Sequence, residues 1–426
     1  TMKLAAAGFV ATAALLLVLC ITVAEGQGTT GTGTIGTNGG PDLSFGDADF
    51  SVQYFKQSFN ASGNSVVSPL AVRLAFSALY QVTDSGTREA VQRAFYLPSA
   101  VSDARANAEQ LVSDLEQSRF LNVSFALLQS EGQLSQELED AARAIFRVKP
   151  RTVVFANRRA VVEDVNEWAV QVTGGRIRDY LAESDIDVNA ELMLLNALHM
   201  RADWAQKFAM EQTVGQTFQF RNGPASVEMM SVALEVLYYA QPKFHAVQLP
   251  YSEESDLTMW ILLPHRDGTF EELFELLSAE LLDELETSVA PKMVDLWLPK
   301  FTIEDSHDAR DVLKRMGHET LFDREGFAVF RDHKSMLGAL KQSTFVQVDE
   351  NGTEAAAVTC KFYIKKNITP SKLHLLTDPL FFFNPFQNSR WDEIPCPQYT
   401  VPGGSAVHIH HQEAVDRHDP VRGTLF

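Results

Sequence analysis

Two adjacent lysines, Lys365 and Lys366, stand at the end of a segment rich in small and apolar residues. A lysine on an exposed loop fits the specificity pocket of a trypsin-like protease, where an aspartate pairs with the cationic side chain. The dibasic pair also suits a subtilisin-type convertase. Because exposed lysines are common, a plain solvated loop is the alternative interpretation.

The segment before the lysines, residues 350–359, has the alternation of a β-strand. Successive side chains of a strand point to opposite faces, so Thr353, Ala355, Ala357 and Thr359 would share one narrow face. A face of such small side chains fits a strand that must enter between two others. An alanine-rich helix end is the alternative. The pattern therefore predicts a segment that is a loop in one state and a strand in another.

The order of residues 350–359, Glu-Asn-Gly-Thr-Glu-Ala-Ala-Ala-Val-Thr, resembles the hinge of inhibitory serpins. Further family-like motifs are Ser68-Pro69, the Asn-x-Trp of 166–168, the Asn-Ala of 196–197, the Met-Met of 229–230 and the Leu-Pro-Lys-Phe of 298–301. The resemblance covers about residues 47–383. It implies an α+β serpin fold with three β-sheets, eight or nine helices and an exposed reactive-centre loop over about 350–370.

The same resemblance implies a set of site residues. The hinge would consist of Glu350, Gly352, Thr353, Glu354, Ala355, Ala356, Ala357 and Thr359. Counting from the first hinge glutamate as in the family, the reactive bond is Lys366–Asn367, with Lys365 as the alternative position. The shutter would consist of Ser68, Asn196 and Gln342, where Gln342-Ser343 replaces the family's usual His-Lys pair.

The mechanism implied by the resemblance is suicide inhibition of a serine protease. The protease is acylated by the loop, the cut loop enters the main sheet as a strand, and the attached protease is carried with it. The chain is therefore expected to be an inhibitor and not an enzyme. A non-inhibitory serpin that acts as a binding or carrier protein is the main rival, and a defective splice product is another.

One side chain conflicts with full insertion. The period of two that turns the small residues inward also turns Lys361, Tyr363 and Lys365 inward. A buried lysine without a partner is costly, by several kcal/mol. Lys361 is therefore expected to find a partner, to extend its amine to the surface, or to slow insertion and divert the reaction to hydrolysis of the loop.

The composition of the chain limits the classes of partner that the protein is expected to bind. The 426 residues are 45% hydrophobic, and the net charge is −19, which disfavours nucleic acid, anionic membranes and a polyanionic cofactor. No cofactor is expected, and a monomer that binds a trypsin-like serine protease is predicted. Three cysteines are too few for a disulfide framework. Cys360 is expected in the exposed loop, as an unpaired thiol or a site of intermolecular pairing.

The N-terminal part predicts secretion to the extracellular space. Lys3 precedes an apolar run over residues 4–23, which indicates a signal peptide over 1–24. A membrane anchor is the alternative, although the run is barely long enough. Residues 25–46 form a Gly/Thr-rich linker that is predicted to be disordered. Local patterns further predict a short strand over 64–69, which ends at Ser68-Pro69, and one helix over 270–285.

Four sequons predict glycosylation, at Asn60, Asn122, Asn351 and Asn367. A glycan on Asn351 would hinder entry of the hinge into a sheet, and one on Asn367 would hinder docking of the protease. Unoccupied sequons are the alternative for both.

The C-terminal tail, residues 384–426, departs from the family because it lacks the usual final strand. It is either a genuine alternative tail or translation past a splice site. Its histidines, His408, His410 and His411, have no Cys or Asp at ligand spacing, so no metal site is predicted. The chain has no Gly-x-Ser-x-Gly motif of a hydrolase.

Overall fold

A six-stranded β-sheet holds part of the hinge segment as one of its inner strands. The structure is a computed structural model that describes residues 2–4, 43–59, 63–220, 223–252, 255, 257–265 and 268–364. The predicted reactive bond and the tail over 384–426 lie outside the described residues.

The α-helices within the described residues are α1 (Leu43–Ser58), α2 (Pro69–Leu79), α3 (Ser85–Phe95), α4 (Val101–Gln117), α5 (Gln136–Ala144), α6 (Arg158–Val172), α7 (Phe270–Leu276), α8 (Ala279–Thr287) and α9 (Ala309–Arg315). The strands are β1 (Met2–Leu4), β2 (Leu121–Gln129), β3 (Arg151–Thr152), β4 (Ala190–Asp203), β5 (Val214–Phe220), β6 (Gly223–Ala240), β7 (Phe244–Pro250), β8 (Thr258–Pro264), β9 (Ala290–Pro299), β10 (Phe301–Asp308), β11 (Met336–Val348) and β12 (Gly352–Ile364).

The first sheet has the order β10-β11-β12-β4-β2-β3. Strand β12 is antiparallel to β11 on one side and to β4 on the other, so both of its edges are hydrogen-bonded. Only the short pair β2–β3 is parallel. The sheet is covered on both faces, which is why β12 has side chains buried on each of them.

The second sheet has the order β1-β9-β6-β7-β8, with β5 paired to the first part of β6. Three sheets were expected, whereas the described strands form two. The reason is the length of β6, which has 18 residues and pairs with β5 at its start and with β7 at its end. One continuous strand thereby joins what would otherwise count as separate sheets.

Helix α2 packs on one face of the first sheet, and α6 packs on the other. The cluster on the α2 face includes Leu192, Leu194 and Tyr363 from the sheet. The cluster on the α6 face includes Val358 and Phe362. Odd-numbered residues of β12 therefore turn towards α2, and even-numbered residues turn towards α6.

Two local predictions were wrong. Residues 64–68 form no strand but an irregular lead-in to α2, where the Ser68 hydroxyl caps the helix by accepting from Ala71 N at 3.4 Å. The single helix expected over 270–285 is two helices, α7 and α8. They separate because Ser278 caps a new start, its hydroxyl accepting from Leu281 N at 3.2 Å.

The N-terminal strand β1 lies parallel to β9, with Met2 to Leu4 opposite Val294 to Leu296. The signal peptide over 1–24 and the linker over 25–46 stay predictions, since most of their residues are not described. None of the helices in the described part of the chain is long and apolar enough to span a bilayer.

Candidate functional site

The hinge segment enters the sheet at a tight turn. In this turn Asp349 accepts backbone N–H groups from Asn351 at 2.8 Å and from Gly352 at 3.3 Å. Gly352 then passes so close to β4 that a Cβ on it would lie 2.1 Å from the carbonyl oxygen of Ala202. Only glycine fits at this point, because the obstacle is backbone that cannot rotate away.

Exposure of the loop is where the structure differs from expectation. Residues 350–370 were expected to be an exposed loop, yet Gly352–Ile364 is a strand between β11 and β4. The small side chains of Thr353, Ala356 and Ala357 are all buried. Because both edges are paired and both faces are covered, this is the inserted conformation of the segment.

The first hinge glutamate, Glu350, is buried beside the turn. Its carboxylate accepts from the Thr213 hydroxyl at 2.8 Å and forms an ion pair with Lys300 Nζ at 3.1 Å. Burial raises the pKa of Glu350, but the hydrogen bonds and the Lys300 charge outweigh it and leave the pKa below its usual value. Trp204 Nε1 donates to the Asp349 carbonyl oxygen at 2.9 Å and holds the same turn.

The second hinge glutamate, Glu354, has two partners across the sheet. It forms an ion pair with Arg176, and its Oε1 lies 3.0 Å from His199 Nε2. The hydrogen bond from Arg176 lowers the pKa of Glu354 against the opposing effect of partial burial, and His199 contributes in the same direction. The negative side chain of the entering strand thus meets a matching basic site.

The predicted shutter residues lie close together below the hinge. Gln342 Oε1 accepts from Ser68 N at 3.1 Å, and its Nε2 donates to Ser68 O at 3.0 Å and to Thr359 Oγ1 at 3.1 Å. Asn196 Nδ2 donates to Ala71 O at 2.6 Å, in the first turn of α2 rather than at Ser68. Gln342 therefore links the lead-in of α2 directly to the inserted strand.

At the far end of β12 two buried side chains have unsatisfied polar groups, whereas in the hinge half of the strand the Thr353 hydroxyl is the one such group among the described residues. Lys361 Nζ and the Tyr363 hydroxyl are buried and have no hydrogen-bond partner among the described residues. Lys361 is 0% exposed, so its amine does not extend to the surface. In this conformation the Lys361 amine therefore has neither a hydrogen-bonded partner in the described part of the chain nor an exposed position.

The expectation that Cys360 is exposed was wrong for this conformation. Cys360 is a free thiol that is fully buried in β12 on the α6 face. Burial raises the pKa of its thiol well above the usual value. The thiol is therefore neither accessible to a partner nor reactive while the strand is in the sheet.

The remaining predicted residues divide between described and undescribed parts. Asn122 on β2 and Asn351 in the turn are exposed. Because Asn351 precedes β12, a glycan on it would project from the turn and need not enter the sheet. The predicted positions Lys365, Lys366 and Asn367, and the sequon at Asn60, lie outside the described residues.

Several site residues were missed by sequence reasoning. Lys300, Thr213 and His199 hold the two hinge glutamates, and Phe76 lies beneath Lys361. Lys300 was visible within the Leu-Pro-Lys-Phe motif of 298–301. The contacts themselves were not, because each one joins residues that are far apart in the chain.

Comparison with known proteins identifies the family. The family model described as "Serpin (serine protease inhibitor)" matches residues 46–390. Serpin-Z1C of Triticum aestivum is 30% identical over 345 residues, which cover 76% of this chain and 86% of the relative. Human neuroserpin is 25% identical over 361 residues, covering 79% and 86%.

The solved structure titled "Cleaved Serpin 42Da" superposes with a TM-score of 0.72 at 25% identity, covering 76% of this chain and 90% of that one. The chain belongs to the serpin family and has the serpin fold. Serpins are in general inhibitors of serine proteases rather than enzymes. Across the described residues, no group of three or more His, Cys, Asp or Glu side chains could hold a metal ion.

Proposed function

We propose that the protein is a secreted inhibitor that traps a trypsin-like serine protease, with Lys366 as the residue that enters the specificity pocket. The observation that carries this proposal is β12. The chain supplies one inner strand of its own main sheet from the segment directly before the two lysines. If this segment were an exposed loop, the sheet would have a gap between β11 and β4. Cleavage of the loop would then allow the segment to fill that gap.

The contacts of the inserted strand support trapping over simple turnover. The hinge residues have room because their side chains are small, and Glu350 and Glu354 each meet a basic partner. Insertion therefore begins with favourable contacts at the end that must enter first. Once acylated, the protease would be carried along the sheet and its catalytic triad distorted.

The test is incubation of the purified protein with trypsin, followed by a denaturing gel and mass spectrometry. We expect a complex that survives denaturation and a released peptide that begins at Asn367. Lys366→Ala should abolish the complex, and the matched control Lys365→Ala should retain it. Clean cleavage without a complex would instead favour the rival function, a binding or carrier serpin.

The same pair of variants tests the alternative protease. A subtilisin-type convertase that reads both basic residues would lose its cleavage with either substitution, since it needs Lys365 as well as Lys366. Trapping of such a convertase by the unaltered protein, with no trapping of trypsin, would overturn the proposed target class.

A further inference from the structure

The buried amine of Lys361 lies against an aromatic ring. Lys361 stands opposite Leu340 of β11 and Leu194 of β4. Its Nζ is 3.2 Å from the centre of the Phe76 ring on α2. Phe76 is itself fully buried and stacks on Phe95 with ring centres 4.1 Å apart. The ring is thus held by packing between α2 and α3 in the inserted conformation.

Among the described residues, no charge that could balance an ammonium group acts on Lys361. The neighbours on its face of the sheet are aliphatic, aromatic or neutral polar: Leu194, Asn196, Leu340, Gln342, Thr359 and Tyr363. The nearby basic group on α2, Arg73, donates through its Nε to the Phe95 carbonyl oxygen. On β11, Lys341 pairs with Asp185 on the opposite side of the sheet.

We infer that the Lys361–Phe76 contact determines how much of the cleaved protein traps its protease, because β12 closes past Phe76 only as Lys361 gives up a proton to solvent. The inference rests on the proposed function and names the regulation of that same loop. The residues of β12 that precede Lys361 enter the sheet with favourable partners. Insertion of Lys361 itself requires its amine to lose a proton. A pause there gives the acyl-enzyme time to hydrolyse.

The magnitudes favour the neutral amine. A cation over a desolvated ring gains less from the ring than an unpaired ion loses by burial. Burial accordingly lowers the pKa of Lys361 well below its usual value. In an exposed loop the same amine stays protonated to about pH 10.4. The inserted form therefore binds fewer protons, and a rise in pH stabilises it.

The expected effect follows from the release of one proton. Between the pKa of Lys361 in the sheet and its pKa in the loop, each unit of pH favours insertion by about tenfold. The ratio of trapped to hydrolysed product should rise with pH by up to this factor.

The decisive variant is Lys361→Met, which keeps a long flexible side chain but removes the amine. The stoichiometry of trypsin inhibition is measured between pH 7 and 9 for both proteins. We expect the unaltered protein to need less inhibitor per trapped trypsin as the pH rises. Lys361→Met should trap efficiently at every pH. Equal values and equal pH slopes for the two proteins would overturn the inference.

The matched control is Lys243→Met, which removes an exposed lysine that pairs with Glu272 on the surface. The stoichiometry of inhibition by Lys243→Met should change with pH as it does for the unaltered protein, because Lys361 is retained. Any pH dependence of trypsin itself is common to all variants. A loss of the pH slope in Lys243→Met as well would show that Lys361 is not the responsible group.

The ring is tested by a double-mutant cycle with Phe76→Leu. Removing the ring should increase hydrolysis more when Lys361 is present than in the Lys361→Met background, where only the packing of Phe76 on Phe95 is lost. The same loss in both backgrounds would show that Phe76 acts through packing alone and would overturn the contact.

A failure of the proposed function can be distinguished from a failure of this inference. If no variant forms a complex, the proposed function has failed. Thermal unfolding of the loop-cleaved protein then tests the inference about Lys361 by itself. The Tm of the cleaved unaltered protein should rise with pH relative to that of cleaved Lys361→Met. Parallel pH profiles would overturn the inference independently of trapping.

Discussion

At the hinge end of β12, Glu354 meets Arg176 and His199, whereas at the far end Lys361 and Tyr363 meet no hydrogen-bonding group in the described part of the chain. Both ends belong to the same strand, between the same two neighbours. The difference predicts that insertion is easy to begin and harder to finish. For such an inhibitor, the choice between trapping and hydrolysis would be made while the second half of β12 enters the sheet.

The largest effect should come from blocking entry at the start. Gly352→Ala places a methyl group against the Ala202 carbonyl oxygen, 2.1 Å away in the present backbone. We expect the inserted form to lose about 3 kcal/mol, or roughly a hundredfold in the ratio of trapped to hydrolysed product. Product analysis after reaction with trypsin measures this ratio.

The matched control for this variant is Gly63→Ala, where a Cβ would meet nothing within 4 Å. It should leave the ratio unchanged. If Gly352→Ala trapped as well as the control, the strand would have to enter by a different path or register.

The next effect concerns the favourable partners of the hinge end. Glu354→Gln removes the charge that faces Arg176 and should destabilise the loop-cleaved protein by about 1–2 kcal/mol, as expected for a partly buried ion pair. Urea unfolding measures the difference. The exposed Glu163→Gln, which pairs with Arg159, is the control and should change little.

The same variant makes a pH prediction. The pKa of Glu354 is below its ordinary value of 4.5 in the inserted form. Its contribution is therefore present above that value and is lost as the pH falls through the lowered pKa. The unfolding curves of Glu354→Gln and the unaltered protein should converge in acid. A constant gap across the acid range would mean that the charge of Glu354 is irrelevant.

A smaller loss is expected at the boundary between the two halves. Thr359→Val removes the hydroxyl that Gln342 Nε2 contacts at 3.1 Å, while Gln342 keeps its bond to Ser68 O. The inserted form should lose about 1 kcal/mol. Urea unfolding of the loop-cleaved variant provides the measurement, and an unchanged midpoint would show that the bond adds no net stability.

The smallest change should have the opposite sign. Tyr363→Phe removes a hydroxyl that is buried without a partner in the described region and keeps the ring packed on Phe327. The loop-cleaved protein should gain about 1 kcal/mol or slightly less, because a desolvated polar group is removed. A loss of stability in the same unfolding experiment would contradict the contrast between the two ends.

Much of the fold could be predicted from sequence because its signals are local. The alternation over residues 350–359 indicated a strand with one small face, and Ser68-Pro69 indicated a helix start. The family-like motifs then supplied the order of elements. Local signals failed where two periods coexist, as in the stretch 270–285, whose apolar residues suit one helix although Ser278 begins a second.

The site was less predictable than the fold. Sequence reasoning named Gln342 and placed Lys361 on the inward face. It did not identify Arg176 and His199 as partners of Glu354, nor Phe76 as the neighbour of Lys361. Such contacts depend on the register of β12 between β11 and β4, and the sequence of a single strand does not determine its register.

By itself the sequence determined that residues from Gly352 onward are able to form a narrow strand, since side-chain size and a period of two are properties of the local chain. Only the tertiary structure decided that both edges of this strand are paired, so that Cys360 and Lys361 are buried rather than exposed. It also decided that the Lys361 amine faces the Phe76 ring and no carboxylate. The physical reason is that burial and charge partners are set by packing between elements distant in the chain, whereas strand propensity is set within it.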